Sequence, residues 1–404
     1  MRVGLFLGMN IPEEGGGYTF EREVYQSLIK FGQESNHTFV VLTWTKGQSP
    51  KISTGNIQFV SLYQGLGKRV ISKLSRTATG VFKKLRHPRS LFTIESRVEK
   101  LLLKNGIEFI WYLTPDCFTM EIPYITVVWD LQHRLQPYFP EVSTKGQWKW
   151  REGFYGTVLR RAAAVITGTE AGKAEIEYFY QVPKERIKIL PHPTPSFALN
   201  ALKASSEDGK QVLAKYHIPE NYLFYPAQFW PHKNHAGLLQ AVRLLREKYQ
   251  LVFPVVFVGS DKGNQSYIRQ QVAGLGLSTQ VHFLGFVPQE DLISLYRKAF
   301  ALTYLTFFGP ENLPPLEAFA LGCPVVASHV PGAQERLDNA ALLVDPKDPE
   351  QMALAIKSLY EDHTLRHTLI QRGLEQALKW TGEDYVKGVF SILDEFEPIR
   401  YCWK

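Results

Sequence analysis

The segment Phe307 to Ser328, FFGPENLPPLEAFALGCPVVAS, puts a loop, a helix start, one acid and a return strand into a short stretch of chain. Pro314 and Pro315 hold φ near the helical value in a first turn, where their missing N–H groups cost nothing. Leu316, Phe319, Ala320 and Leu321 give that helix an apolar side, and Gly322 ends it. A loop that enters a helix start presents unpaired backbone N–H groups and the positive end of the helix dipole, which suits a diphosphate. Glu317 stands one turn inside, placed to accept hydrogen bonds from ligand hydroxyls. A Pro-capped helix with a solvated Glu, as any α/β crossover can carry, reads the same way. Two other places have chemistry to offer. Gly15-Gly16-Gly17-Tyr18 joins an apolar run to a helical pattern, and its glycines let the backbone approach a ligand. YITVVWDLQH, Tyr124 to His133, ends in Asp130 and His133, an acid and an imidazole at the carboxyl end of a strand that are placed to orient a hydroxyl and receive its proton. Asp130 equally serves to cap the next turn.

Positioning such groups requires a scaffold, and the chain writes one twice. Strand-like apolar runs at Val3 to Gly8, Thr38 to Trp44, Ile57 to Tyr63, Phe109 to Leu113, Ile125 to Asp130, Ala164 to Thr169 and Ile187 to Leu190 alternate with helical patterns, as a parallel sheet requires. A break follows at Pro191-His192-Pro193-Thr194-Pro195, and the polar stretch Lys203 to Lys210 reads as a linker. A second series runs through Leu223 to Gln228, Val255 to Gly259, Val281 to Gly285, Ala299 to Leu305, Pro324 to Ala327 and Leu342 to Val344. That order predicts two Rossmann-like α/β domains with a cleft between them, over residues 1–200 and 210–380. Thr381 caps a last helix from about Glu383 to Phe396.

Length and composition agree with this class. A chain of 404 residues is too long for one ordinary core. Hydrophobic residues make up 45%, yet no apolar run approaches the length of a spanning helix. Met1 to Met9 stops at Asn10-Ile11-Pro12-Glu13-Glu14 without a basic start or cleavage site, so it reads as a first strand and not a leader. Three scattered cysteines, Cys117, Cys323 and Cys402, point to a reducing cytoplasm and away from a metal cluster. The net charge of +7 comes from one place: Gly67 to Arg89 holds eight basic residues and no acid. Its apolar residues, Val70, Ile71, Leu74, Val81, Phe82 and Leu85 among them, recur at helical spacing. The segment resembles a basic amphipathic helix suited to an anionic membrane surface, with a packed helix bearing a solvated basic face as the alternative; nucleic acid is not the expected partner.

The segment Phe307 to Ser328 resembles the signature of retaining glycosyltransferases of the GT-B fold, family 4. Glu317 and the turn Leu313-Pro314 match the second Glu and the turn of that signature. Its first Glu falls on Gly309; the nearest acid is Glu311, within a variant Phe-Gly-Pro-x-Asn loop. In QFWPHKNH, Lys233 matches the family's diphosphate Lys, and Gln228 stands where an Arg is usual. Trp129 takes the place of a sugar-contacting His, with His133 three residues later. Val287, in Phe286-Val287-Pro288, matches the base-binding loop, and Thr169 a Ser/Thr near the sugar or phosphate, where it equally reads as a helix cap.

The resemblance implies an enzyme that moves a hexose from a nucleoside diphosphate sugar, UDP before GDP, onto a glycan or lipid-linked glycan hydroxyl, without a metal cofactor. Front-side attack by the acceptor is implied, with no protein nucleophile. It places the base at Val287, the ribose at Glu317, and the diphosphate at Lys233, Gly16, Gly17, Asn312 and Leu313. The sugar falls to Glu311 or Asp130. It also implies that residues 381–404 cross back to the first domain. A catalytically silent sugar-nucleotide-binding subunit is the main alternative, and a nucleotide-sugar epimerase the lesser one.

Overall fold

The structure, a computed structural model, describes residues 1–7, 15–43, 55–61, 98–203, 210–309 and 311–403. The basic stretch from Lys68 to Arg89 lies outside the described residues, as do 204–209 of the expected linker. Thirteen strands are found among the described residues, one for each apolar run of the sequence.

The first unit carries β1 (Arg2–Leu7), β2 (Thr38–Thr43), β3 (Ile57–Ser61), β4 (Phe109–Trp111), β5 (Tyr124–Val127), β6 (Ala164–Thr167) and β7 (Ile187–Ile189). They form one sheet in the order β3-β2-β1-β4-β5-β6-β7 with every pairing parallel. Val3 of β1 sits opposite Phe39 of β2 on one side and Phe109 of β4 on the other. β4, β5 and β6 are buried throughout, which is why they read as unbroken apolar runs and not as alternating ones. The helix Gly16–Phe31 covers this sheet together with the helix Gly382–Arg400. Phe20 meets Tyr385 edge-on at 5.4 Å, and Phe39 lies 5.4 Å from Phe390. Contacts accordingly group Gly382–Lys404 with Met1–Pro137 and Ser143–Pro191.

The second unit comprises His192–Thr381 and the short segment Tyr138–Val142. Its six strands are β8 (Leu223–Pro226), β9 (Val255–Val258), β10 (Val281–Gly285), β11 (Ala301–Tyr304), β12 (Val325–Ser328) and β13 (Ala341–Val344), in the order β10-β9-β8-β11-β12-β13 and again all parallel. The strand order reverses between β8 and β11, so the loops leaving these two strands part at the carboxyl edge and open the crevice where α/β sheets take ligands. The unit boundaries differ from the expected 1–200 and 210–380 in two places, each for a packing reason. Phe139 packs tilted against Phe307 and edge-on against Phe308, which brings Tyr138–Val142 into the second unit. The helix Ser196–Lys203 packs on the helix Leu313–Ala320 and belongs there as well. None of the described helices is long and apolar enough to cross a membrane.

Candidate functional site

At the switch point of the second unit, β8 ends in Pro226 and the chain turns through Gln228 to the short turn Pro231–Lys233. Gln228 accepts from the Trp230 ring N–H at 2.9 Å, a local bond that shapes the turn. Asn234, in the left-handed region, then caps the helix His235–Tyr249 by accepting from Gly237 N–H. The Tyr225 hydroxyl donates to the Lys233 carbonyl and so holds the lysine backbone to β8. The Lys233 ammonium donates to the Tyr304 hydroxyl and to Asn312 Oδ1, both at 2.9 Å, and lies 5.0 Å from the centre of the Tyr304 ring. Tyr304 is the last residue of β11, so the two strands flanking the switch point each anchor this lysine.

Asn312 takes the N-cap position of the helix Leu313–Ala320 in extended backbone geometry without a side-chain capping bond, and donates through Nδ2 to the Gly309 carbonyl. Pro314 and Pro315 follow Leu313 and remove two N–H groups from the first turn, so an anion there would rely on the Asn312 and Leu313 N–H groups, the dipole and Lys233. Gly309 has φ +97°, and a Cβ built on it would sit 3.0 Å from Asn312 Nδ2. This explains the glycine where the family signature has its first Glu: a side chain would be strained and would press on the helix cap.

Glu317 lies inside the same helix, 6% exposed, where Tyr296 donates to its Oε2 at 2.7 Å. Burial pushes its carboxyl up to about 7 against the pull of the Tyr296 bond. Burial also raises the Tyr304 phenol, with the Glu317 charge adding to it, so Tyr304 stands between Lys233 and Glu317 in the electrostatics of the site. The Val287 side chain is buried and its neighbour Phe286 is exposed, which leaves backbone as what that loop can present.

Glu311 does not have the role expected of it. Its carboxylate forms an ion pair with Arg336 at 2.9 Å, both side chains nearly buried, and accepts from the His192 N–H at 2.5 Å. Arg336 also donates to the His192 carbonyl at 2.6 Å. These bonds tie the segment entering the second unit to the loop before Asn312. The carboxylate is held by an ion pair and one backbone N–H on Oε2, while Oε1 makes no hydrogen bond among the described residues, so its partner here is Arg336 and not a sugar hydroxyl.

The first unit holds the remaining expected residues. Asp130 accepts from Arg151 at 2.6 Å and from the Gln132 N–H at 3.0 Å, so it caps the turn that follows β5 and also carries an ion pair. His133 is a correction. It is fully buried, its Nε2 lies 3.0 Å from the Tyr180 hydroxyl, and its ring stacks on Tyr155 at 5.7 Å. Burial lowers it to about 4, with Arg151 adding to the effect. This is a neutral core histidine between helices and not a group presented to an acceptor hydroxyl. Thr169 is buried too, and its Oγ1 accepts from Gly172 N–H at 3.0 Å as the cap of the helix Glu170–Tyr180. Gly16 and Gly17 open the helix Gly16–Phe31 behind Gly15 at φ +72°, and among the described residues a Cβ on Gly16 would meet no atom within 4 Å. Glu175 went unnoticed in the sequence; burial and the nearby Asp130 charge push its carboxyl up to about 7.

The structure thus brings Lys233, Asn312 and Glu317 around Tyr304, with Leu313 next to Asn312 in the chain. Sequence reasoning missed Tyr304, Tyr296, His192 and Arg336, and also Glu141, which accepts from the His232 N–H. Glu141 and His192 reach it from 91 and 119 positions away, and Tyr304 meets Lys233 across 71, so the spacing of neighbouring residues carries no signal for these contacts.

Comparison with known proteins places the chain among glycosyltransferase-like sequences and folds. Residues 210–376, most of the second unit, match the family model described as glycosyl transferases group 1. The chain is 29% identical over 248 residues to O-antigen chain mannosyltransferase B of Escherichia coli, an alignment covering 61% of this chain and 64% of that protein. It is 30% identical over 201 residues to O-antigen chain mannosyltransferase RfbU of Salmonella typhimurium, covering 50% of this chain and 52% of the relative. The chain therefore spans less than two thirds of the length of these relatives. Among solved structures, sucrose-phosphate synthase from Thermosynechococcus elongatus aligns with a TM-score of 0.72 at 18% identity, covering 100% of both chains. HepE of Anabaena in complex with UDP-glucose aligns with a TM-score of 0.66 at 17% identity, covering 98% of this chain and 100% of the other. The two parallel-sheet Rossmann-like units have the GT-B fold of glycosyltransferase structures.

Proposed function

We propose that this protein is a metal-independent, retaining glycosyltransferase of family 4 that moves a hexose from a nucleoside diphosphate to a hydroxyl of a growing glycan. One observation carries the reading: the Lys233 ammonium is held by Tyr304 and Asn312 at the start of the helix Leu313–Ala320. Fixed positive charge beside a helix N-terminus is what a departing diphosphate needs, because it stabilises charge that grows in the transition state without reorganising at that moment. In this reading the acceptor hydroxyl attacks the anomeric carbon as its bond to the phosphate oxygen breaks, and that oxygen takes the hydroxyl proton. Glu317 accepts from the ribose hydroxyls, and the Val287 loop pairs with the base through its backbone. Gly16 and Gly17 approach the diphosphate, and Asp130 serves the sugar or the acceptor.

The mannosyltransferase names of the relatives support a glycan acceptor in envelope polysaccharide synthesis and a mannosyl donor, and the UDP-glucose complex of the structural neighbour supports a UDP donor. Thermal shift and calorimetry against UDP, GDP and their hexose conjugates, in the presence of a chelator, test the reading. Saturable binding of one nucleoside diphosphate, with slow release of sugar from its conjugate, is the expected result; no nucleotide binding would refute it. A lipid-linked acceptor at the cytoplasmic membrane face is part of the proposal through the basic stretch Lys68 to Arg89. Neutralising Lys68, Lys73, Lys83 and Lys84 together should release the protein from anionic vesicles; binding that persists undiminished would remove that part.

A further inference from the structure

The residues Tyr138–Val142 group with the second unit although the chain on either side of them belongs to the first. Phe139 packs there against Phe307 and Phe308, with ring centroids 5.5 and 5.6 Å apart. Glu141, its side chain 8% exposed, places one carboxylate oxygen against two donors of a single residue: the main-chain N–H of His232 at 3.0 Å and the His232 ring Nδ1. His232 stands immediately before Lys233. Its ring lies flat on Phe308, with centroids 3.9 Å apart and planes within 13°. Its carbonyl accepts from the Phe307 N–H at 2.8 Å and from the Thr306 hydroxyl at 3.1 Å. One histidine therefore joins the loop that carries Lys233 to the loop that runs through Gly309 to Asn312, and Glu141 accepts from both its main chain and its ring.

The hold is specific. A carboxylate has no proton to give, so the protonated ring nitrogen of His232 is Nδ1. Burial works against the charged carboxyl, yet the bonds from His232 keep Glu141 below the usual carboxylate range. Removing the acceptor takes the Glu141 partner from two donors of His232 in a largely buried place, and the ties of His232 to Phe307, Thr306 and Phe308 then fix the spacing of the two loops less closely. A shift of about 1 Å in a group that binds a reacting ligand is enough for a large loss of function.

We infer that Glu141 is a positioning residue for the nucleotide diphosphate: acting through His232, it sets the spacing between the Lys233 ammonium and the start of the helix Leu313–Ala320. The inference rests on the reading of that place as the diphosphate site.

The test is calorimetry of UDP and GDP binding to the full chain and to Glu141→Ala, Glu141→Gln, Lys233→Ala and the Glu141→Ala/Lys233→Ala double variant, joined to nitrogen NMR of the His232 ring. Glu141→Ala should weaken binding about tenfold. Glu141→Gln, whose amide oxygen accepts both bonds, should stay within about threefold of the unmodified protein. The double variant should bind little more weakly than Lys233→Ala, since both changes remove one contact by different routes. The ring should be protonated at Nδ1 in the unmodified protein and in Glu141→Gln, and mixed in Glu141→Ala. Unchanged affinity in Glu141→Ala, a full tenfold loss added to that of Lys233→Ala, or Glu141→Gln as weak as Glu141→Ala would overturn the inference. If Glu141→Ala does not fold, a tenfold loss or an Nε2 proton in Glu141→Gln overturns it equally. A different pattern, in which the unmodified protein binds neither nucleotide or Lys233→Ala binds as well as it does, refutes the diphosphate reading itself and the inference with it.

Discussion

Replacing Lys233 by Ala removes the one side-chain cation that the described second unit sets against both Tyr304 and Asn312. What remains matters for the interpretation. The Tyr304 hydroxyl still lies 3.2 Å from Asn312 Oδ1, Asn312 still donates to the Gly309 carbonyl, and Tyr225 still bonds the backbone carbonyl of residue 233. The loops therefore keep their ties, and a loss of affinity reports on the missing ammonium. A charge-assisted bond to phosphate contributes about 1.5 to 3 kcal/mol, so the variant should bind nucleoside diphosphate roughly ten to a hundred times more weakly. Because Lys233 is only half-buried, the difference should shrink as salt rises. Isothermal calorimetry at two ionic strengths reads both effects. Affinity within about twofold of the unmodified protein at low salt would refute the assignment of the diphosphate to this place. Gln228→Arg is the companion change and should tighten binding if the pocket keeps the family's shape.

Three further outcomes follow from the described contacts. The Glu317 carboxyl is raised from its ordinary value to about 7, so the fold favours its protonated form; the resulting penalty is absent below the ordinary carboxylate range, grows as pH rises, and is complete above about 7. Glu317→Gln should therefore match the unmodified protein in urea unfolding at pH 4 and exceed it by roughly 2 to 3 kcal/mol at pH 8, and a difference independent of pH would contradict this; Glu317→Ala should also weaken nucleotide binding by removing the ribose partner. Glu311→Ala leaves the Arg336 guanidinium buried without its carboxylate and should cost about 3 kcal/mol in urea unfolding, most of it recovered in Glu311→Leu/Arg336→Met; a loss under about 1 kcal/mol would show that the pair is not holding the loop. His133→Gln should keep turnover per folded molecule within about twofold, since the ring belongs to the packing of Tyr155 and Tyr180; a loss of a hundredfold or more in sugar transfer would restore it as an acceptor base.

The strands were legible because parallel sheets bury both faces. Runs such as Phe109 to Leu113 and Val255 to Gly259 are apolar without alternation, and the helical patterns between them leave few topologies open. The loop before the helix Leu313–Ala320 was legible for a different reason: the prolines after Leu313 and the acid at Glu317 announce a helix start within one short segment. Partners that come from elsewhere were not. Tyr304 meets Lys233 from 71 positions away, and Glu141 reaches His232 from 91. Thr169 and Asp130 show another limit, because a residue that caps a turn and one that touches a ligand have the same type and the same place at a strand end. His133 shows a third: only the surrounding aromatic rings, supplied by two later helices, distinguish a core imidazole from a functional one. The glycine at 309 carried information that became readable once its φ and the nearby Asn312 amide were known.

The central claim is that a sugar leaves a diphosphate held at Lys233 and reaches an acceptor hydroxyl with its configuration kept. Proton NMR of the reaction in a chelator-containing buffer, with a UDP- or GDP-hexose and a short soluble glycan acceptor, tests it most directly. The account predicts a glycoside whose anomeric proton has the configuration of the donor, formed together with one equivalent of nucleoside diphosphate. An inverted product, conversion of the free nucleotide sugar without any acceptor, or nucleotide binding with neither transfer nor hydrolysis across a panel of acceptors would contradict it.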